Sequence, residues 1–253
     1  MLPTPPACAE QPLALFLDFD GTLVELAQQP DHVQLSETLR ARLSELANQL
    51  QGALAVVSGR RLANLLEHLA PLDLPAAGNH GLEMQLRPGM APSLDSASFP
   101  PAARHAIEAF VAEHRGLLAE VKGQSMALHF RRAPQLADIV RARITQIRDQ
   151  HAADFVLQAG KMVWELRPAG ANKGTAIEAF MQNEPFKDRL PVFIGDDLTD
   201  EFGFDTVNEL GGWSIHVGNE TQTTSARMGL ADVAAVGDWL AALQAGLAGQ
   251  PHE

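Results

Sequence analysis

The sequence predicts an α/β fold: a doubly wound, parallel-sheet core built from both ends of the chain, with an α+β domain inserted between them. Three observations predict it. Short apolar runs rich in Leu, Val and Phe alternate with helical patterns before Gly81 and again from Lys173 onward, as in a parallel sheet with right-handed crossovers. Between these stretches the order changes to helix, strand, helix, hairpin, which suits an antiparallel α+β unit. The apolar runs also end in carboxylates or a hydroxyl, and open α/β sheets bind ligands at the carboxyl ends of their strands. The expected division is residues 1–95 and 167–253 for the core and 96–166 for the insert.

Leu13 to Phe19 is a buried strand by its unbroken apolar run. Ser36 to Leu50 is a helix, because Leu35, Leu39, Leu43, Leu46 and Leu50 fall on one face of a 3.6-residue period. Ala53 to Arg60 is a second buried strand, and Arg61 to Leu69 a helix that ends before Pro71. Leu74 to Gly81 carries a third strand into a glycine-flanked loop. Arg87 to Pro101, rich in Pro, Ser and Gly, reads as a linker. In the insert, residues 102–115 are helical and Ser125 to Phe130 is a strand. Gln135 to Gln150 is a helix with Ile139, Val140, Ile144 and Ile147 on its apolar face, and Phe155 to Pro168 a hairpin turning at Gly160–Lys161. Then come a helix at Lys173 to Met181, an apolar strand running into Asp196–Asp197, a helix at Thr199 to Leu210 and a strand at Trp213 to Gly218.

Composition removes several classes of function. At 253 residues and 46% hydrophobic, the chain needs no disulfide or metal staple to build a core. The net charge of −12 would repel phosphate backbones, so nucleic acid is not an expected partner. A single cysteine, Cys8, excludes an internal disulfide framework and a cysteine zinc site. No apolar run approaches the ~20 residues of a membrane span, and the start lacks a secretory pattern. A cytoplasmic monomer without membrane contact is expected. The insert carries a slight positive net charge against a strongly acidic remainder, which suits it to receive the far end of an anionic ligand. Arg141, Arg143 and Arg148 read equally well as a solvated helix face.

The carboxylates carry the chemistry. Asp18 and Asp20 end the first strand, and Gly21 lets the chain turn there. Two carboxylates so close repel unless a cation lies between them or one is protonated. An ionised Asp18 can be a nucleophile and a protonated Asp20 a general acid. Asp196, Asp197 and Asp200 end another apolar strand. Five carboxylates at strand ends of one sheet suit a hard cation with oxygen ligands, Mg²⁺ by preference. Taken alone, the first motif is also an ordinary Asp-Gly turn and the second an acidic helix start. Ser58, with the N–H of Gly59, can hold a phosphate oxygen or cap the following helix. Lys173 opens a helix against the dipole, with Asn172 as a candidate N-cap, so its ammonium has another use: balancing carboxylates and phosphate.

Asp18-Phe19-Asp20-Gly21-Thr22, Ser58, Lys173 and Asp196-Asp197, in this order, resemble the four motifs of the haloacid dehalogenase (HAD) superfamily of phosphotransferases. A narrower resemblance spans about residues 13–240 and is to the trehalose-6-phosphate phosphatase family. It is carried by Ser58-Gly59-Arg60, Gly78 to Gly81, Lys122-Gly123, Ala127 to Arg131, Trp164 to Pro168, Asn172 to Gly174 and Gly195 to Glu201. Phe130 stands where the family pattern has Tyr. The resemblance implies a HAD-like, Rossmannoid core with a cap domain, and Mg²⁺-dependent hydrolysis of trehalose 6-phosphate, a phosphorylated disaccharide, in trehalose biosynthesis. It implies that Asp18 forms an aspartyl-phosphate, that Asp20 is the acid and base, and that Ser58 and Lys173 hold phosphoryl oxygens. Asp18, the Asp20 carbonyl and Asp196 would hold the metal, with Asp197 or Asp200 behind them.

For the substrate, the resemblance points to Glu120, Lys122, His129, Glu165 and Arg167 in the insert. In the core it points to Gly21, Thr22, Arg60, Asn79, His80 and Asn172. Glu120 and Glu165 read also as solvated surface, His80 and His129 as structural histidines, and Arg167 as a partner for a carboxylate. Alternatives are a HAD phosphatase for another sugar phosphate, a sugar phosphomutase, and a phosphate-binding module without catalysis.

Overall fold

The computed structural model describes residues 6, 11–26, 33–91, 93, 94, 99–160, 162–218 and 223–248. The side chains of Lys122, Ser93 and Leu94 lie outside the described set, as do Cys8, Lys161 and much of the stretch read as a linker. The chain divides into two compact units, one of residues 1–94 with 171–253 and one of Asp95–Gly170.

The first unit begins with β1 (Leu13–Leu17), α1 (Glu37–Gln49), β2 (Leu54–Val57), α2 (Leu62–Leu69) and β3 (Ala76–Gly78). β4 (Glu83–Gln85) and β5 (Ser93–Leu94) follow. Every residue of β1, β2 and β3 is buried, the mark of a sheet covered on both faces. α1 starts where the leucine period starts: Ser36 caps it by accepting from the Leu39 N–H, and Leu43 and Leu46 are fully buried.

The second unit comprises α3 (Pro101–Glu113), β6 (Leu118–Lys122), β7 (Ser125–His129), α4 (Ala137–His151), β8 (Phe155–Gly160) and β9 (Val163–Pro168). Its sheet is antiparallel, in the order β6-β7-β9-β8. Met126, Leu128 and Leu166 turn from one face of that sheet into a core shared with Ile107, Phe110, Val140, Ile144 and Ile147. Phe130 joins this core, where a ring without a hydroxyl is at no disadvantage. Ile139 is a correction to the helix reading. It is half exposed, because residues 140, 144 and 147 share a face that a residue one position earlier misses by about 100°.

The first unit resumes with α5 (Lys173–Met181), β10 (Leu190–Gly195), α6 (Glu201–Glu209), β11 (Trp213–Val217), β12 (Met228–Leu230) and α7 (Val233–Ala248). Its eight-stranded sheet runs β12-β11-β10-β1-β2-β3-β4-β5. The sheet is parallel from β12 to β3, but β4 and β5 pair antiparallel and extend one edge. The linker reading thus missed a short strand. Among the described residues, no helix is long and apolar enough to cross a membrane.

This strand order sets the site. From β1 the sheet grows outward in both directions, through β2 on one side and β10 on the other, which makes the β1 end the switch in strand order. Leu17 pairs with Val56 of β2 and with Ile194 of β10. Residues just beyond all three strands are therefore level with one another.

Candidate active site

Asp18 follows β1, Ser58 follows β2, and Asp196 follows β10, so the register brings these distant positions to one edge of the sheet. The Asp18 N–H still donates to the Ile194 carbonyl, which fixes its backbone to the neighbouring strand. Beyond it the chain folds back tightly. Gly21 N–H donates to the Val24 carbonyl, and the N–H groups of Leu23 and Val24 both reach the Phe19 carbonyl. Gly21 has φ +83°, and a Cβ there would overlap the Asp196 carboxylate. Only glycine meets both conditions, and the second places Asp196 directly against this turn.

Lys173 is the hub. It is the first residue of α5, whose N-terminus Asn172 caps by accepting from Thr175 N–H in a reciprocal capping box. Its Nζ donates to Asp18 Oδ1 at 2.7 Å and to Asp200 Oδ1 at 2.6 Å. Asp18, Lys173 and Asp200 are all buried. The second oxygen of Asp200 accepts the N–H groups of Asp196 and Asp197, both at 3.0 Å, and so straps the loop after β10. Gly195 allows the close approach, since a Cβ there would collide with the Asp200 side chain. Asp197 turns to its own loop, accepting from the Thr199 N–H and hydroxyl.

Electrostatics follow from this packing. Burial pushes the Asp18 carboxyl well up, Lys173 pulls it down, and the neighbouring aspartates raise it again. Asp196 rises to about 7, from burial and then from Asp200 and Asp197. Asp200 is raised by burial against the pull of Lys173. Burial also works to raise Asp197, but Lys173 and the Thr199 hydrogen bonds outweigh it and hold its acid strength above the ordinary. Burial opposes charge on Lys173, yet Asp18 and Asp200 hold its proton more firmly than usual. Four carboxylates around one ammonium leave surplus negative charge, which a divalent cation would neutralise. Asp18, Asp196 and Asp200 each offer an oxygen within 4.8 Å of the others, so the donor set fits a hard cation. Both Asp200 oxygens are already engaged, which leaves Asp18 and Asp196 the better-placed donors.

Asp20 is held differently. Arg60 Nε and Nη2 each donate to one of its oxygens at 2.6 Å, a bidentate pair. Ser58 is buried, and its Oγ accepts from the Arg60 N–H. The cap reading of Ser58 is corrected: Arg61 occupies the cap position of α2, and the Leu62 N–H is taken by Glu83 Oε2 at 2.7 Å. The Asn79 N–H binds the Arg60 carbonyl and the His80 N–H binds the Ser58 carbonyl, which brings this buried pair beside the second strand's end. Thr22 is fully buried and lines a cavity of about 220 Å³ with Leu39, Arg42 and Val236.

The expected residues of the second unit fall on one sheet face by alternation. Glu120, Ala127, Glu165 and Gln158 form one cross-strand row; Ser125 pairs with Lys122, and Arg167 lies two residues beyond Glu165 on β9. His129 Nε2 pairs with Glu120 Oε2 at 2.9 Å. Glu165 is buried and accepts from Ser125 Oγ at 2.7 Å, while Arg167 Nε donates to Gln158. Burial lowers the Arg167 pKa against the opposing pull of Glu165. The solvated-surface reading therefore does not describe Glu165. Ser125 and Gln158 escaped the sequence reading, although strand alternation puts both on this face.

Comparison with known proteins agrees. The trehalose-phosphatase family model matches residues 16–234. The chain is 43% identical to trehalose-6-phosphate phosphatase of Escherichia coli K12, over 90% of this chain and 85% of that one. It is 39% identical to a probable trehalose-phosphate phosphatase of Sinorhizobium fredii, over 91% and 87%. Its fold matches the C-terminal domain of Candida albicans trehalose-6-phosphate phosphatase with a TM-score of 0.79 at 23% identity, covering 93% of each. By the family model over residues 16–234 and the identity to its relatives, the chain belongs to the trehalose-phosphatase family.

Proposed function

We propose that this chain hydrolyses trehalose 6-phosphate to trehalose and inorganic phosphate, with Asp18 as nucleophile. The observation that carries the reading is the buried Asp18–Lys173–Asp200 triad with Asp196 against it, at the switch in strand order. Asp18 attacks phosphorus and forms a P–O bond as the bond to the sugar oxygen breaks, and Asp20 gives that oxygen a proton. Water then attacks the phosphorylated Asp18, Asp20 takes its proton, and phosphate leaves. Lys173 and the Ser58 hydroxyl hold phosphoryl oxygens, so most of the work is positioning and charge neutralisation. The Asp18 and Asp196 carboxylates and the Asp20 carbonyl would hold Mg²⁺, with Asp200 and Asp197 fixing the loop behind them. Bound there, the ion would offset charge on the phosphoryl group.

In this reading the second unit is a cap whose polar sheet face reads the sugar. Glu120, Lys122, His129, Glu165 and Arg167 bind hydroxyls, and a site so built rejects analogues that leave its polar groups unpaired. Asn79 and His80 serve from the core. The chain acts as a cytoplasmic monomer on a small-molecule substrate.

The test is phosphate release from a panel of sugar phosphates with Mg²⁺ or with excess chelator. Trehalose 6-phosphate should be the best substrate, and chelation should stop its turnover. A stronger preference for another sugar phosphate would overturn the substrate. Undiminished turnover in chelator would overturn the metal, and phosphate returned to sugar rather than released would indicate a mutase.

A further inference from the structure

We propose that Asn64 and His68 of α2 are positioning residues for Asp20, acting through Arg60. The role rests on the proton transfer assigned to Asp20 above.

Asn64 and His68, four residues apart, face the same way on α2, and Arg60 lies two residues before the helix starts. Arg60 Nη1 donates to Asn64 Oδ1 at 3.1 Å and lies 3.0 Å from His68 Nε2. A guanidinium only donates, so Nε2 accepts and carries no proton in this pair. The plane of Arg60 lies over the Phe19 ring at 5.1 Å, and the His68 ring packs on Phe19 at 5.6 Å. These contacts hold the guanidinium at Nη1 and over one face, with Nε and Nη2 directed at the two oxygens of Asp20. The helix that carries the supports is itself anchored, because Glu83 takes the Leu62 N–H.

This fixes where charge is favoured. When Asp20 gives its proton to the departing sugar oxygen, it becomes an anion, and the Arg60 fork is already placed to receive that charge. Without the Asn64 and His68 acceptors Nη1 loses its anchors, and the anion forms against a less firmly held fork. Asn64 and His68 are only partly buried, and a glutamine at 68 keeps some of the bulk that the His68 ring lays against Phe19.

The experiment compares kcat/KM for trehalose 6-phosphate and para-nitrophenyl phosphate, since this ratio covers steps up to departure of the leaving group. The sugar oxygen needs a proton to leave, whereas nitrophenolate does not. Asp20→Asn should lose at least ~100-fold on the sugar phosphate and far less on the aryl ester. Equal losses there would sink the assignment of Asp20 as acid, and this inference with it. Given that split, Asn64→Ala and His68→Ala should each lose about 10-fold on the sugar phosphate and under about 2-fold on the aryl ester. His68→Gln, whose amide oxygen can accept from Arg60, should recover most of the loss. Equal losses on both esters, no loss on either, or a glutamine no better than alanine would overturn the positioning role while leaving Asp20 in place.

Discussion

Lys173 Nζ lies 2.7 Å from Asp18 Oδ1, and neither side chain is more than 5% exposed. The same ammonium reaches Asp200 at 2.6 Å. A buried cation shared by two anions is held by reciprocal need: removing it strands both carboxylates in a low-dielectric site. Lys173→Met should therefore cost about 3–5 kcal/mol of folding stability as well as activity. Urea unfolding would show it. Adding Asp200→Asn to Lys173→Met should recover part of the loss, and strictly additive changes would contradict the pairing.

Gly21 is the narrowest backbone requirement in the site. Gly21→Ala forces a side chain into the left-handed region and against Asp196. A displacement near 1 Å at such a position is enough for about a 100-fold loss in turnover. Steady-state kinetics beside an unchanged circular dichroism spectrum would check it.

The raised pKa of Asp196 has a signed consequence for the metal-free protein. Its carboxyl titrates at about 7 when folded, against an ordinary 3.8. Between those values the folded chain holds a proton that the unfolded chain has lost, so stability from this group is present at low pH and declines as pH rises toward 7. In excess chelator, the difference in Tm between Asp196→Asn and the parent should grow in favour of the variant from about pH 4 to 7. A difference constant across that range would count against the raised value.

Cation binding should reverse that decline. At a Mg²⁺ concentration of ~100 Kd, the folded state gains about 2.7 kcal/mol. Thermal melts with and without Mg²⁺ should separate by several degrees for the parent and collapse together for Asp196→Asn. Equal shifts in both would move the ion elsewhere.

Ser125 holds Glu165 in the polar face of the second unit. Ser125→Ala removes a buried hydrogen bond to a carboxylate, worth about 1.5–3 kcal/mol. If that carboxylate reads sugar hydroxyls, kcat/KM for trehalose 6-phosphate should fall about 10-fold, with little change for para-nitrophenyl phosphate. Parallel losses would mark Ser125 as structural only.

The residues legible in the sequence are those whose role is fixed by position along an element. Asp18 and Asp196 announce themselves because two buried apolar runs of one sheet both end in carboxylates, and Lys173 because it opens a helix against the dipole. Asn172 reads as a cap for the same local reason, and the structure shows the bond. The sequence did not reveal groups whose partners are remote. Glu83 caps α2 across 21 residues of chain, and nothing near it marks it as a cap. Asn64 and His68 look like ordinary polar positions on an amphipathic helix until Arg60 is seen between them and Asp20. β12 went unread because a three-residue strand carries too few alternations to stand out, and β4 because it follows a loop that seemed to end the sheet.

The pairing of Leu17 with both Val56 and Ile194 makes hydrogen-bonded strands the ruler against which the reacting groups are measured. Side chains alternate sides every residue, so sliding β10 by a single step would turn Asp196 away from the Gly21 turn and present a neighbour in its place. Repacking at Phe16 or Phe193, deep among aromatic rings, thus has a route to silencing the enzyme while leaving it folded.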